Sequence, residues 1–182
     1  MKIRSFLPVI LVFTFGCDEL TEFNGVPIRQ YADQVITFSS QYSATSWSAN
    51  RTLGRENVYP NYGDNSNAWS PLTADSQREY LVLGFDTIQT VKRIEIYETW
   101  YPGAVDTVYL RNAVTGKWKL IYSKPAITDL PEEARIFKIL LGESFLVDAI
   151  RIAINSPAVS SDPDISGWNE IDAVAITGQR KE

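Results

Sequence analysis

The stretch Val91-Lys92-Arg93-Ile94-Glu95-Ile96-Tyr97-Glu98-Thr99-Trp100-Tyr101-Pro102-Gly103-Ala104-Val105-Asp106 decides the fold. Ile94 and Ile96 alternate with charged or phenolic neighbours, the period of two that a strand with one buried face requires. The chain then passes through an aromatic loop tip at Trp100 and Tyr101. Alternation resumes beyond it with Val108 and Leu110 against Thr107, Tyr109 and Arg111. Glu98 and Asp106, one at each foot of the loop, share the apolar parity. Two carboxylates are therefore aimed towards the core side at one end of a sheet, where an unpaired charge is costly. Each needs a partner, either an internal network of loop amides and an arginine or a bound ligand.

Working outward, the same signals recur. Further strands are expected over residues 34–38, 79–85, 118–123 (after a tight turn at 113–116), 135–141, 147–154 and 168–177. Ser46 is a helix N-cap for a short turn from Trp47 to Leu53, stopped by Gly54. There is no internal repeat and no other helical period. About eight strands with turn signals at this spacing give an all-β fold, an antiparallel β-sandwich. Two long loops, 56–67 and 155–167, are rich in Asn, Pro, Gly and Ser, and in a compact domain such loops are functional or pinned by something.

The 182 residues are 45% hydrophobic and 12% aromatic, enough for one domain with a real core. Five Trp and nine Tyr exceed what that core needs, so some of them face a ligand. Trp69 and Trp118 are read as core, and Trp47 as packing the helical turn. The formal charge of −5 argues against nucleic acid and anionic lipid as partners. There is no histidine, and the single cysteine is Cys17, so zinc sites, Ser-His-Asp chemistry and disulfides are excluded. No nucleophile elbow and no phosphate-cradling glycine loop is present.

The chain opens with Lys2 and Arg4, an apolar run over residues 6–15, and Gly16-Cys17. That run is too short for a bilayer and reads as a signal peptide. It resembles a bacterial lipoprotein leader, which implies that Cys17 becomes the lipidated first residue of an exported protein held to the outer membrane by its lipid alone. Asp18-Glu19 is either a solvated tether or, by resemblance to lipoproteins of the Bacteroidetes, a surface-export signal. The expected organisation is a signal peptide at 1–16, the lipidated cysteine and linker at 17–33, and one domain at 34–178.

The order of motifs resembles the discoidin, or coagulation-factor type C, superfamily of galactose-binding-like jelly rolls. The likeness runs through Ser39-Ser40, Leu53-Gly54, Ala68-Trp69-Ser70, the segment 80–85, Arg93-Ile94-Glu95-Ile96 and Gly116-Lys117-Trp118. A more specific likeness, to the discoidin-like region of a leucine-rich-repeat F-box protein, lies at 38–43, Tyr62-Gly63-Asp64, 98–105 and 169–174. What the resemblance implies is a jelly-roll binding module whose loops at one end of the sandwich hold carbohydrate, phospholipid head groups or protein. A structural calcium is the one cofactor it implies, with Glu170 matching the family's metal-site glutamate and Asp64 as the oxygen donor offered beside it.

If the loops 98–106 and 155–172 meet, Glu98, Trp100, Tyr101, Asp106, Trp168, Asn169, Glu170 and Asp172 form a ligand site. Carboxylates and amides beside aromatic faces are the chemistry of sugar recognition. The reading taken is a carbohydrate-binding module and not an enzyme; the alternatives are an adhesive envelope protein gripping a protein partner or cell-wall polymer and, behind it, a glycosidase built on a carboxylate pair, Glu98 with Asp106 or Glu170 with Asp172. Catalytic residues are assigned to none of these positions, because the chain has no histidine, no nucleophile elbow and no thiol other than Cys17, and the family it resembles is overwhelmingly noncatalytic.

Overall fold

A computed structural model describes residues 26–74, 77–128, 130–143, 145–158 and 168–180. Cys17, the leader and residues 159–167 of the second long loop lie outside the described residues. Eight strands follow in chain order: β1 Ile28–Tyr31, β2 Gln34–Phe38, β3 Arg78–Trp100, β4 Val105–Asn112, β5 Trp118–Ser123, β6 Arg135–Leu140, β7 Leu146–Asn155 and β8 Glu170–Arg180. Every pairing between them is antiparallel. The expected all-β architecture is what the chain forms.

β3 organises the rest. The sequence predicts separate strands at 79–85 and from Val91, but the backbone runs through as one strand of 23 residues, with a register irregularity between Gly84 and Gln89. Asp86, Thr87 and Ile88 lack the Gly or Pro that would end a strand, so the chain bends instead of turning. The first half of β3 pairs with β2 and β7, and the second half with β6 and β8. The adjoining strands thus form two layers: β2, β7, β4 and β5 with the first half, and β1, β8 and β6 with the second.

One apolar cluster fills the space between them. Leu81 and Leu83 from the first half of β3 join Ile94 and Ile96 from the second, with Val108 and Leu110 of β4, Ile150 and Ile152 of β7, and Val174 and Ile176 of β8. Trp69 is fully buried in the same cluster, as expected, and its indole N–H donates to the Ser40 carbonyl at 3.0 Å.

The stretch read as linker contributes β1, whose residues pair with the far part of β8, Ile28 opposite Gly178 and Tyr31 opposite Ala175. Short length and mixed polarity hid it. On the outer face of this layer the stretch of β8 beside Glu95 and Tyr97 carries Ala173, Ala175 and Thr177. Over that low floor Arg29 of β1 reaches Glu95 of β3 at 2.8 Å and donates to the Tyr97 hydroxyl, so the small residues and the bridging arginine explain each other. Gly178 is required for the close β8–β3 approach, since a Cβ there would lie 1.5 Å from the Thr90 carbonyl oxygen.

Two local readings are corrected. The helical turn is a 3-10 segment at Ala49–Thr52 preceded by Ser48, shorter than the expected one, and Gly54 leaves it at φ +81°. Trp118 is not core: it is 40% exposed at the start of β5. It pairs with Arg111, which places it with Leu120 on the outer face, while Ile121 packs towards the core.

Candidate functional site

The carboxylates that open β8 fix the long loop 56–67. Asp172 is 1% exposed and accepts the consecutive backbone amides of Asn57, Val58 and Tyr59, at 3.1, 3.0 and 2.9 Å for the shortest contact of each. Glu170, two residues earlier, accepts the Asn65 amide at 3.1 Å and the Trp47 indole N–H at 3.0 Å. The loop is thus tied at both ends to one strand. Its middle lies against the aromatic tip: Gly63 N–H donates to the Thr99 carbonyl at 3.0 Å, and the Tyr62 and Trp100 rings are 4.8 Å apart.

Glu98 is 3% exposed, as its parity demands, and its partners are internal: Arg135 at 2.6 Å and the Gly103 amide at 2.9 Å. Burial pushes its carboxyl above the usual carboxylate range, with the arginine and the amides opposing that shift. Gly103, at φ +114°, cannot carry a side chain, because a Cβ would sit 2.3 Å from the Ile127 carbonyl oxygen. Asp106 pairs with Arg78 at 2.6 Å at the other foot. A register irregularity between Val105 and Thr107 lets both Val105 and Val108 enter the core and leaves Asp106 at the sheet end. Asn169 is buried and donates its amide to the Tyr101 carbonyl, so it braces the loop tip.

A cleft of about 100 Å³ opens beside these anchors, lined by Tyr42, Trp47, Asp64, Ser70, Trp100, Trp168 and Glu170. On the same measure one water needs about 10–15 Å³, so the space suits a single small polar ligand or one ring of a longer one. Of the expected residues, Trp100, Trp168, Glu170 and Asp64 meet here. Glu98, Asp106, Asn169 and Asp172 are held in separate networks, and Tyr101 packs edge-on against Trp100 with ring centroids 4.6 Å apart. Tyr42, Trp47 and Ser70 are the lining residues that sequence reasoning missed. Tyr42 stacks edgewise on both Trp47 and Trp168, at 5.2 and 5.9 Å, which makes an aromatic corner.

The floor of the cleft is polar. Trp47 donates its single indole hydrogen between Asp64 at 2.8 Å and Glu170 at 3.0 Å. Burial, with a smaller contribution from Asp64, pushes the Glu170 carboxyl up to about 9, against the Asn65 and Trp47 donors, so Glu170 is protonated at neutral pH and able to donate. Ser70 Oγ and Trp168 Nε1 are buried without a hydrogen-bond partner among the described residues. Such atoms are rare in folded proteins and carry a cost that a ligand can remove.

Glu170 and Asp64 come together as the metal reading requires, but the donor set does not fit calcium. N–H groups of Trp47 and Asn65 occupy carboxylate oxygens that a cation would need, and calcium takes six to eight oxygens. Among the described residues no group of three or more His, Cys, Asp or Glu is placed to hold a metal.

Comparison with known proteins adds the family. A model described as PAPPA, Pappalysin-1, SD scarf domain, C-terminal, matches residues 22–182. F-box/LRR-repeat protein 4 of Bos taurus is 25% identical over 186 residues, covering 84% of this chain; the chain spans only 29% of that protein's length. Among solved structures, chitosan-binding module 1 of a chitosanase/glucanase from Paenibacillus sp. IK-5 superposes with a TM-score of 0.54 at 16% identity, covering 80% of this chain and 96% of that one. The family 32 carbohydrate-binding module of Streptococcus pneumoniae EndoD gives 0.57 at 14% identity, covering 81% and 95%. At these identities the likeness is one of fold, and the fold agrees with the galactose-binding-like jelly roll that the sequence resembles.

Proposed function

The chain belongs to the PAPPA family, Pappalysin-1, SD scarf domain, C-terminal, and from that premise we propose that it is a noncatalytic binding module that recognises carbohydrate through its loop-end cleft. The observation that carries the reading is the cleft itself, in which three indoles and a phenol surround a carboxyl pair and two unpartnered polar atoms. Aromatic faces take the apolar side of a sugar ring, while the Asp64 carboxylate accepts a hydroxyl hydrogen and the unpartnered Ser70 hydroxyl donates one. The carbohydrate-binding modules of like fold, one of them described as chitosan-binding, support this class of ligand. The residues 1–17 support export and a lipid anchor at Cys17 on the outer membrane, which would present the cleft to envelope or environmental glycans.

Calorimetric titration of chitosan oligosaccharides and a neutral glycan panel tests the reading. At least one sugar is expected to bind, and Trp100→Ala to weaken it about fivefold or more, the loss of one aromatic contact being worth roughly 1–3 kcal/mol. A panel without a binder, or a binder indifferent to both Trp100→Ala and Glu170→Gln, would remove the cleft from consideration. Mass spectrometry of the membrane fraction tests the anchor: a mature protein that still carries residues 1–16 would refute it.

A further inference from the structure

The outer face of the sheet made by β3, β7, β4 and β5 carries chemistry that the cleft does not use. Arg151 of β7 stands opposite Val82 of β3 and Tyr109 of β4, with Ala149 and Ala153 as its outward neighbours along β7. Those alanines leave the arginine standing above a low floor. Its guanidinium lies over the Tyr80 ring, 4.5 Å from the centroid. One strand further on, Arg111 lies over Trp118 at 5.7 Å.

The arginines differ in what else they hold. Arg111 is paired with Asp148 at 2.8 Å, and Arg78, at the edge of the same face, with Asp106 at 2.6 Å. Arg151 is exposed and has no carboxylate partner among the described residues. Two shallow depressions run across the face and share Tyr80 and Arg151. The chain's net charge of −5 opposes an anionic partner at long range, so what attracts an anion here is local: an unpaired guanidinium at the centre of an open aromatic face.

We propose that this face binds an anionic polysaccharide of the uronate class, with Arg151 holding a sugar carboxylate. A guanidinium stacked on a ring keeps its edge N–H donors free for a bidentate pair, and Tyr80 fixes its plane before the ligand arrives, which lowers the ordering cost. The partly exposed Tyr109 and Trp118 offer apolar surface to the ring carbons of neighbouring sugars. Strands about 4.8 Å apart set these groups in a row that an extended polymer can follow and a compact ligand cannot. The site is separate from the cleft and stands whether or not the cleft binds sugar.

Polygalacturonate titrated against the full chain is the test. Binding is expected at low ionic strength, weakening as salt rises, and falling about tenfold or more in Arg151→Gln. Arg151→Lys should lose most of it too, since the charge stays and the fork goes. Arg55→Gln, which removes an exposed arginine elsewhere, should bind as wild type. A wild-type chain that ignores polygalacturonate, or an Arg151→Gln chain that binds it fully, overturns the proposal. Equal affinity for poly-L-glutamate, also lost in Arg151→Gln, would overturn the sugar assignment and make the occupant an acidic polypeptide.

Discussion

Glu170 and Asp172 open the same strand two residues apart, and each is 1% exposed, yet they live in different chemistry. Asp172 is saturated by three consecutive backbone amides and closes the start of the loop 56–67. Glu170 has one backbone amide and half an indole N–H, and its remaining surroundings are another carboxylate and an open cleft. Burial alone does not separate a structural acid from a functional one; the number of donors aimed at it does. Glu98, with the Arg135 guanidinium and the Gly103 and Val105 amides as three donors of its own, belongs with Asp172 on this measure.

The largest expected effect comes from removing the saturated acid. Asp172→Ala leaves three loop amides short of their acceptor and should cost about 3–5 kcal/mol in chemical denaturation, at roughly 1.5–3 kcal/mol for a bond to a charged group and with partial rescue by water. A cost below about 1 kcal/mol would erase the distinction between the two acids.

Glu170 should act through pH instead. Its folded value of about 9 lies above an unfolded value near 4.3, so between them the folded chain keeps a proton that the unfolded chain has released. Its contribution is full below about pH 4 and drains away as pH rises through 9. Thermal midpoints measured from pH 5 to 9 should therefore fall more steeply in wild type than in Glu170→Gln, and parallel curves would contradict the assignment. A smaller effect follows from Asp64→Asn, which removes the acceptor and the charge that help to raise Glu170. The Glu170 carboxyl-carbon titration seen by NMR should move down in pH, and an upward move would reverse the sign of the coupling. The smallest expected response is to calcium: with N–H groups filling the carboxylate oxygens, millimolar calcium should leave the melting midpoint where it was. A clear upward shift would mean that the pair rearranges to take the ion.

Most of the strand order was legible because alternation is a local signal: Ile94 and Ile96, or Ile150, Ile152 and Ile154, announce a face without reference to anything distant. Trp118 shows where that stops. Composition made it a core candidate, but only its pairing with Arg111 reveals that it lies outside. β1 was invisible because four mixed residues carry no period; the strand exists through what β8 offers it. The site divides the same way. Trp100, Trp168, Glu170 and Asp64 could be picked by residue type and loop position. Tyr42, Trp47 and Ser70 come from the irregular segments around the 3-10 turn and before β3, where no period says which side chain points where. The one signal available was two aromatics, Tyr42 and Trp47, massed with small polar residues in the aperiodic stretch 39–48.

The pairing of β1 with β8 has a geometric consequence. Ile28 lies beside Gly178, so the described chain enters and leaves at the same pole, while Trp100 lies beside Glu170 at the other end of the same strand. At about 3.4 Å per residue, the eleven residues of β8 set some 35 Å between that pole and the cleft. A fusion partner joined beside Ile28 or Gly178 would therefore start at the pole farthest from the cleft, and ligand access to Trp100 and Glu170 would not depend on it.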